Sequence, residues 1–207
     1  PYPYRPKPDD QPEWFSFANT NSFTEKEREA REEIWQMVVD EETKKGTSLK
    51  VTQYPEEALR ARTQLPSQNV GSTKNYCKMA GAGISWPGTF TPANKWAPVY
   101  NAWKNILIDR NLSPSIRMSM YRGVHYGMLR AMIPFNKQNP EETENARQAI
   151  VACLKVDLEN GGIPYKPPVD FGREINKMAH PGYLALLKRV KQMLDPNDIM
   201  NPGKLAL

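Results

Sequence analysis

A tyrosine and a lysine lie side by side at Tyr165 and Lys166, after a glycine pair that is predicted to end a helix and before two prolines. The prolines make a rigid turn, which fixes the directions of the side chains that precede it. A tyrosine hydroxyl beside a cation can bind and polarise a phenolate or a carboxylate. The alternative is an ordinary surface Tyr–Lys pair at the end of a strand. The pair is therefore a candidate anion-binding site.

An arginine lies within an otherwise apolar segment, 125–135, that is predicted to be a strand. Alternation along the strand places four side chains on one face: Tyr126, Met128, Arg130 and Met132. A buried arginine on such a face needs an anionic partner. The alternative is an arginine at a strand end that pairs with a carboxylate of a helix. His125 falls on the opposite face, and there we favour a hydrogen-bonded structural histidine over one that moves protons.

The composition of the 207-residue chain excludes other kinds of site. Its 28 basic and 23 acidic residues give a net charge of +5, and because they are interleaved they form no stripe for nucleic acid. Two cysteines and two histidines are too few for a disulfide framework or a His/Cys metal centre. No apolar run approaches the roughly 20 residues of a membrane-spanning helix. We expect a soluble protein without metal, with the cytoplasm favoured over the periplasm.

Periodicity and capping residues predict a mixture of helices and strands. Helices are expected from the cap Ser22 to about Lys45, over 98–109, from the cap Asn139 to the glycines at 161–162, and from Pro181 to Leu194. The inward stripes expected of the first and last helices are Ala30, Ile34, Met37 and Val38, and Leu184, Leu187, Val190 and Leu194. Strands are expected at 14–17, 49–53, 115–120 and 125–135, and the segment 79–92 suits a strand that ends in an ordered loop. This order favours an α+β fold, with a ferredoxin-like antiparallel sheet and helices on one face.

Four stretches of the sequence carry a resemblance to a known family. They are the string Leu194-Asp-Pro-Asn-Asp-Ile-Met-Asn-Pro-Gly-Lys204, the segment Gly162-Ile-Pro-Tyr-Lys166, and the segments 120–137 and 83–92. Together they resemble the C-terminal part of FAD-linked oxidases of the vanillyl-alcohol-oxidase / p-cresol-methylhydroxylase superfamily. The resemblance covers about 79–207, whereas 1–78 fits only by position and element order.

The resemblance implies a division of the chain and a missing partner. Residues 1–12 would be a proline-rich arm, 13–160 the cap or substrate domain, and 161–207 a C-terminal segment that returns to the FAD-binding domain. That FAD-binding domain precedes the cap in the family and is absent from this chain. It would lie on a second polypeptide or on a removed portion of the same precursor. No His, Tyr or Cys occurs between Met79 and Val99, so we expect FAD that is not covalently bound to this chain.

The resemblance also assigns roles to individual residues. Those implied for catalysis are Tyr165, Lys166, Arg130 and Tyr126. Those implied for FAD contact are Asn201, Lys204 and Trp86, and the substrate cavity would be lined by Met128, Met132 and His125. The family pair is Tyr–Arg, so a lysine at 166 keeps a point charge but loses the bidentate fork of a guanidinium.

The implied function is removal of a hydride from a small aromatic alcohol or 4-alkylphenol onto FAD, with oxygen or a redox protein as the final electron acceptor. One alternative is a 2-hydroxy-acid dehydrogenase of the same superfamily, with the acid held by Arg130 and Lys166. Another is a non-enzymatic α+β module that binds a partner. The expected partners are the FAD-binding domain and a small-molecule substrate, without nucleic acid or a membrane span.

Overall fold

The computed structural model describes residues 22–52, 82–120 and 125–206, together with the isolated positions 9, 14, 16 and 57. The chain divides into two compact units, one of Pro6–Asn69 and one of Pro1–Arg5 with Val70–Leu207. Each is described by itself. The arm expected at 1–12 and the strand expected at 14–17 lie outside the described residues, apart from those isolated positions.

The first unit contains the helix α1 (Glu25–Lys44). The hydroxyl of Thr24 accepts a hydrogen bond from the Glu27 amide at 3.2 Å, and the Glu27 carboxylate accepts one from the Phe23 amide at 3.0 Å. The prediction of Ser22 as the cap is therefore wrong by two residues. Thr24 and Glu27 have the spacing of a capping box, with the carboxylate accepting from the amide just before the cap, and acidic residues occupy the first turn, where the helix dipole favours them.

The apolar side of α1 is not buried within this chain. Ile34 and Met37 are 60% and 69% exposed, so the stripe expected to face inward is solvated here. The strand predicted at 49–53 is also wrong over its described part. Leu49 and Val51 alternate with polar residues, but no described strand pairs with them, and residues 47–52 form coil.

The second unit contains the other elements, in the order β1 (Ala82–Ser85), β2 (Gly88–Pro92), α2 (Trp96–Asp109), β3 (Ile116–Met120), β4 (Tyr126–Ala131), β5 (Ile133–Asn136), α3 (Pro140–Glu159), β6 (Ile163–Pro164), α4 (Gly172–Met178) and α5 (Pro181–Leu194). Four strands form an antiparallel sheet in the order β3-β4-β2-β6. Without β5, which pairs outside this sheet, the chain from β2 to β6 runs strand–helix–strand–strand–helix–strand, and with this strand order that is the ferredoxin-like arrangement. The predicted α+β class and ferredoxin-like sheet are confirmed.

The segment predicted as one strand over 125–135 is two strands. It breaks at Met132, whose amide donates to the Ser115 carbonyl at 2.8 Å. Beyond the break, β5 leaves the four-stranded sheet and pairs with β1, with Pro134 opposite Ile84. Proline has no amide hydrogen for an interior ladder, so it suits this short two-stranded pairing better than a central strand.

The core lies between one face of the four-stranded sheet and the helices α2 and α3. Its fully buried side chains include Val99, Trp103, Leu107, Leu129, Ala131, Ala149, Cys153 and Leu154. The indole of Trp103 donates to the Cys153 carbonyl at 2.8 Å and joins the two helices. As predicted, Asn139 caps α3 by accepting from the amides of Glu141 and Glu142.

The last helix differs from its prediction in packing rather than in position. It begins at Pro181 as expected, with the His180 side chain accepting from the Gly182 amide. Leu184 and Leu187 are only half-buried, and Val190 and Leu194 are exposed. The stripe expected to face inward is therefore not covered within this chain. The short helix α4 was not predicted.

Substitution of Gly127 tests the packing between β4 and α2. A Cβ at this position would lie 1.7 Å from Cζ2 of Trp96, whose indole is fixed by a hydrogen bond to the Thr91 carbonyl at 3.1 Å. We expect Gly127→Ala to lower the free energy of unfolding in urea by about 1–3 kcal/mol, because the strand must move away from the ring. The control is Gly88→Ala, where the nearest atom would be 3.6 Å away. Equal effects of the two substitutions would contradict this account.

Candidate functional site

The four-stranded sheet has a second face, which we call the far face, pointing away from α2 and α3. Since Leu129 and Ala131 belong to the core, alternation places Met128 and Arg130 on the far face. Cross-strand pairing adds the residues opposite them, with Phe90 opposite Met128 and Arg117 opposite Arg130. The far face is therefore where the predicted arginine and its neighbours converge.

Arg130 lies between two aromatic rings. Its guanidinium carbon is 5.8 Å from the ring centroid of Trp86 and 5.6 Å from that of Tyr165, both within cation–π range. Its Nη2 donates to the Met128 sulfur at 3.3 Å. Its Nε is buried and has no hydrogen-bond partner among the described residues. A buried donor without an acceptor is costly, which makes this nitrogen a candidate donor to a ligand oxygen.

Tyr165 and Lys166 reach the same place from the segment after β6. The Tyr165 amide donates to the Gly88 carbonyl at 2.7 Å, and its ring meets that of Phe90 edge to face, with the centroids 5.5 Å apart. The Lys166 Nζ is 5.1 Å from the Tyr165 ring centroid. The structure thus brings together Tyr165, Lys166, Arg130, Met128 and Trp86 of the residues named from the sequence.

A cavity of about 210 Å³ adjoins this cluster. It is lined by Ile84, Ser85, Trp86, Ile150, Lys166 and Pro168. Trp86 lies against Arg130 and Lys166 against Tyr165, so these two side chains connect the cavity with the cluster. The lining combines apolar side chains with the Lys166 ammonium and the Ser85 hydroxyl.

Nearly the whole chain matches a single family model. The family model for the C-terminal domain of FAD linked oxidases matches residues 5–205. The chain belongs to this family. The resemblance found in the sequence is therefore confirmed, and the FAD-binding domain of such oxidases is not covered by this chain.

A solved structure shares the fold of this domain. It is a crystal structure of p-cresol methylhydroxylase with substrate bound, with a TM-score of 0.62 and 17% sequence identity. The match covers 89% of this chain and 36% of that one, so the domain spans about a third of that protein. A search of curated protein sequences finds no match. No helix in the described part of the domain has the length and apolar character to cross a membrane.

Three residues named from the sequence lie apart from the cluster. Tyr126 is exposed at the opposite end of β4, four residues or about 13 Å along the strand from Arg130. His125 is exposed just before β4, where its carbonyl accepts from the Ala93 amide at 2.9 Å. Met132 lies at the break between β4 and β5. The resemblance assigned site roles to all three, whereas alternation along a single strand over 125–135 placed only Tyr126 and Met132 on the face of Arg130.

The C-terminal signature string forms a closed turn. The Asp195 carboxylate accepts from the amides of Ile199 and Met200 at 2.9 and 2.8 Å and from the Lys191 ammonium. These hydrogen bonds, that of Lys191 above all, hold the pKa of Asp195 below its usual range. The string therefore fixes the end of α5 by its own contacts.

Both tail residues named for FAD contact form hydrogen bonds with other residues of this chain. Asn201 has a positive φ of 50°, and its carbonyl accepts from the Lys204 amide at 3.1 Å. The Lys204 Nζ donates to the Pro167 carbonyl at 2.5 Å, next to Lys166. The tail is thus tied to the segment that carries the Tyr–Lys pair.

Sequence reasoning missed Arg117, which lies directly opposite Arg130 on the far face. Like charges in opposed positions of two strands are destabilising. The described residues provide no ion pair to Arg117, Arg130 or Lys166, although they pair many other cations. Alternation along 115–120 contained the signal for Arg117, but only the register of β3 against β4 places it beside Arg130.

The described residues fit the flavin end of FAD, which the family implies. Arg130 Nε is a buried donor that needs an oxygen or nitrogen acceptor, and Trp86 presents an indole that is 37% exposed. A conjugated ring that carries carbonyl oxygens suits both groups, and an anionic aromatic substrate suits them equally. These two side chains are the ones of this domain that we expect to contact the flavin or the substrate beside it.

The unpartnered donor predicts a stability effect. We expect Arg130→Met to raise the free energy of unfolding by about 1 kcal/mol, because it removes a buried unsatisfied group and a like-charge contact and loses only two ring contacts and a weak hydrogen bond to the Met128 sulfur. The matched control is Arg110→Met, since Arg110 donates to the side-chain oxygens of Asn145 and Gln148 at 3.2 and 3.1 Å. That variant should lose about 1 kcal/mol in the same urea titration. A fall for Arg130→Met as large as for Arg110→Met would contradict this interpretation of Arg130.

Proposed function

We propose that this domain binds the substrate of a flavin-dependent oxidoreductase that removes a hydride from a small aromatic alcohol or 4-alkylphenol. The observation that carries the proposal is the Arg130 guanidinium, held between the rings of Trp86 and Tyr165 with its buried Nε lacking an acceptor among the described residues. We assign the role of that acceptor to an anionic oxygen of the substrate.

The charges of the cluster support an anionic substrate. Arg117, Arg130 and Lys166 are cations without a carboxylate partner in the part of the chain that the structure describes. Cations near one another repel, and an anion that binds between them relieves that repulsion. A phenolate, or a phenol that becomes one as the hydride leaves, gains most from such a site because the charge develops there.

The aromatic side chains support a substrate with a ring. Trp86 and Tyr165 flank the guanidinium, the Phe90 ring meets that of Tyr165 edge to face, and Trp86 also lines the cavity of about 210 Å³. Aromatic rings in such a site orient a substrate ring by edge-to-face or offset contacts. Tyr165 can donate its hydroxyl to the same anionic oxygen that Arg130 binds.

When bound, FAD supplies the acceptor of the hydride. The residues of this domain bind and orient the substrate: Arg130 and Lys166 attract its anionic oxygen, and the rings exclude water from it. Oxygen or a redox protein would then take the electrons. Because no His, Tyr or Cys lies between Met79 and Val99, we propose that FAD is not covalently attached to that segment.

A 2-hydroxy acid is the second candidate substrate, and the position of Arg117 favours it. A guanidinium binds a carboxylate through two parallel hydrogen bonds, and two opposed arginines on one face can share a carboxylate. The two candidates differ in what they require. A phenol needs the ring contacts, whereas a 2-hydroxy acid needs Arg117.

The first test is kinetic and uses the enzyme assembled with its FAD-binding part. With p-cresol as the probe, we expect Lys166→Met to lower kcat about 100-fold, the loss typical of one preorganised charge in the transition state. The control is Lys137→Met, whose side chain is exposed at the end of β5. If Lys166 only anchors the substrate, KM will rise with kcat unchanged.

Substitution of Arg117 separates the candidate substrates. If the enzyme turns over 2-hydroxybutanoate only when Arg117 is present, and does not turn over p-cresol, the hydroxy acid is favoured. Unchanged kinetics in both Lys166→Met and Arg130→Met, with normal folding and flavin content, would remove these residues from the site.

The second test concerns the partner. Leu186, Met193 and Leu194 of α5 are each about 60% exposed or more, and exposed apolar side chains along one helix are typical of an interface. In the other unit, Ile34 and Met37 of α1 are likewise 60% and 69% exposed. We therefore expect this domain to remain with an FAD-binding domain or chain in native size-exclusion chromatography. A colourless species of only 23.6 kDa would contradict the proposal.

Acid precipitation should release free FAD, and flavin that stays on this polypeptide would refute the non-covalent assignment.

A further inference from the structure

A buried carboxylate lies directly behind the candidate site. Asp157, in the last turn of α3, is fully buried. Its two oxygens accept hydrogen bonds from the hydroxyls of Thr89 and Thr91, each at 2.6 Å. These threonines lie on the side of β2 that faces the helices, and their hydroxyls are 3.0 Å apart. Asp157 therefore fixes β2 at two successive positions on that side.

The same residue also fixes the loop that leads to the Tyr–Lys pair. The Asp157 carbonyl accepts from the Gly162 amide at 2.7 Å. A Cβ on Gly162 would lie 2.4 Å from Oδ1 of Asp157 and 2.9 Å from its carbonyl oxygen, so only glycine fits against it. Gly162 is followed at once by β6 and then by Tyr165.

The two segments that Asp157 holds are the two that build the site. In β2, the Gly88 carbonyl accepts a hydrogen bond from the Tyr165 amide, and the Phe90 ring on the far face contacts the Tyr165 ring. The ladder between β2 and β6 is only two residue pairs long, and one of its members is Pro164, which has no amide hydrogen. So short a ladder needs a second attachment to keep its register.

We propose that Asp157 is a positioning residue, which holds β2 and the segment after β6 in the register that places Tyr165 and Lys166 against Arg130. The inference rests on the proposed function for the ligand that the site takes. Burial of a carboxylate is costly and raises the pKa of Asp157, even though the two hydroxyls oppose the shift. An apolar side chain would avoid this cost but would leave both threonine hydroxyls without their partner.

The test measures amide hydrogen exchange in the full chain by NMR. In Asp157→Leu we expect the Tyr165 amide to exchange at least about 10-fold faster relative to the Leu129 amide of β4, because local opening of the segment becomes easier. Asp157→Asn should keep the wild-type ratio of the two exchange rates, since a side-chain amide can accept from one threonine hydroxyl and donate to the other. Leu107→Ala, a core variant on α2, should speed exchange of both amides without changing their ratio.

A second variant keeps the test valid if Asp157→Leu does not fold. Thr91→Val has the same shape and removes one of the two hydrogen bonds, so it should move the exchange ratio in the same direction by a smaller factor. An unchanged ratio in both Thr91→Val and Thr89→Val would overturn the inference, as would a ratio that shifts equally in Leu107→Ala.

Ligand binding by the assembled enzyme forms a separate arm. With p-cresol as the probe, Asp157→Leu should weaken binding about 10-fold and Asp157→Asn should not, because only the former releases Tyr165. If the wild type does not bind the probe while the exchange ratio still shifts in Asp157→Leu, the proposed substrate fails and the positioning role stands. If the wild type binds but the ratio does not shift, the positioning role fails and the proposed function stands.

Discussion

The strict alternation of side chains along β2 and β4 is the constraint on which the rest of the second unit depends. One set of side chains packs on α2 and α3, so the other set must lie together on the far face. A slip of one residue in β4 would exchange Leu129 with Arg130 and place a guanidinium in the core. The ring of Trp96 against Gly127 makes this slip costly, because any larger residue there would collide with the ring. Packing on one face therefore specifies the chemistry of the other.

The elements from β2 to β6 could be predicted because their signals are local. Asn139 and Pro140 mark the start of α3, and alternation over 126–131 places Arg130 and Met128 on one side. The position of Tyr165 beside Arg130 could not be predicted from local signals, and only the family resemblance indicated it. It depends on β2 lying between β4 and β6, which no local pattern shows.

The failures have physical causes of the same kind. Asp157 lies on an amphipathic helix, where an acidic residue is ordinarily solvated, and only the approach of two threonines from another element makes it a buried acceptor. The strand predicted at 49–53 had the correct alternation but no partner among the described strands. Val190 and Leu194 of α5 show a related case, because a helical stripe predicts a face that can be buried but does not show which surface covers it.

The lysine at 166 bears on how the site can treat an anion. The Lys166 ammonium lies near the Tyr165 ring, and the Arg130 guanidinium lies near the same ring from β4. An ammonium attracts an oxygen from any direction, whereas a guanidinium imposes a planar fork. In the function that we propose, Arg130 and the rings would orient the substrate, and Lys166 would contribute its positive charge without fixing a direction. Such a division would tolerate substrates whose anionic groups differ in shape, provided that their ring or chain fits beside Trp86. It would also require accurate geometry of β4, which the core holds, and of β2, whose Thr89 and Thr91 hydroxyls donate to Asp157.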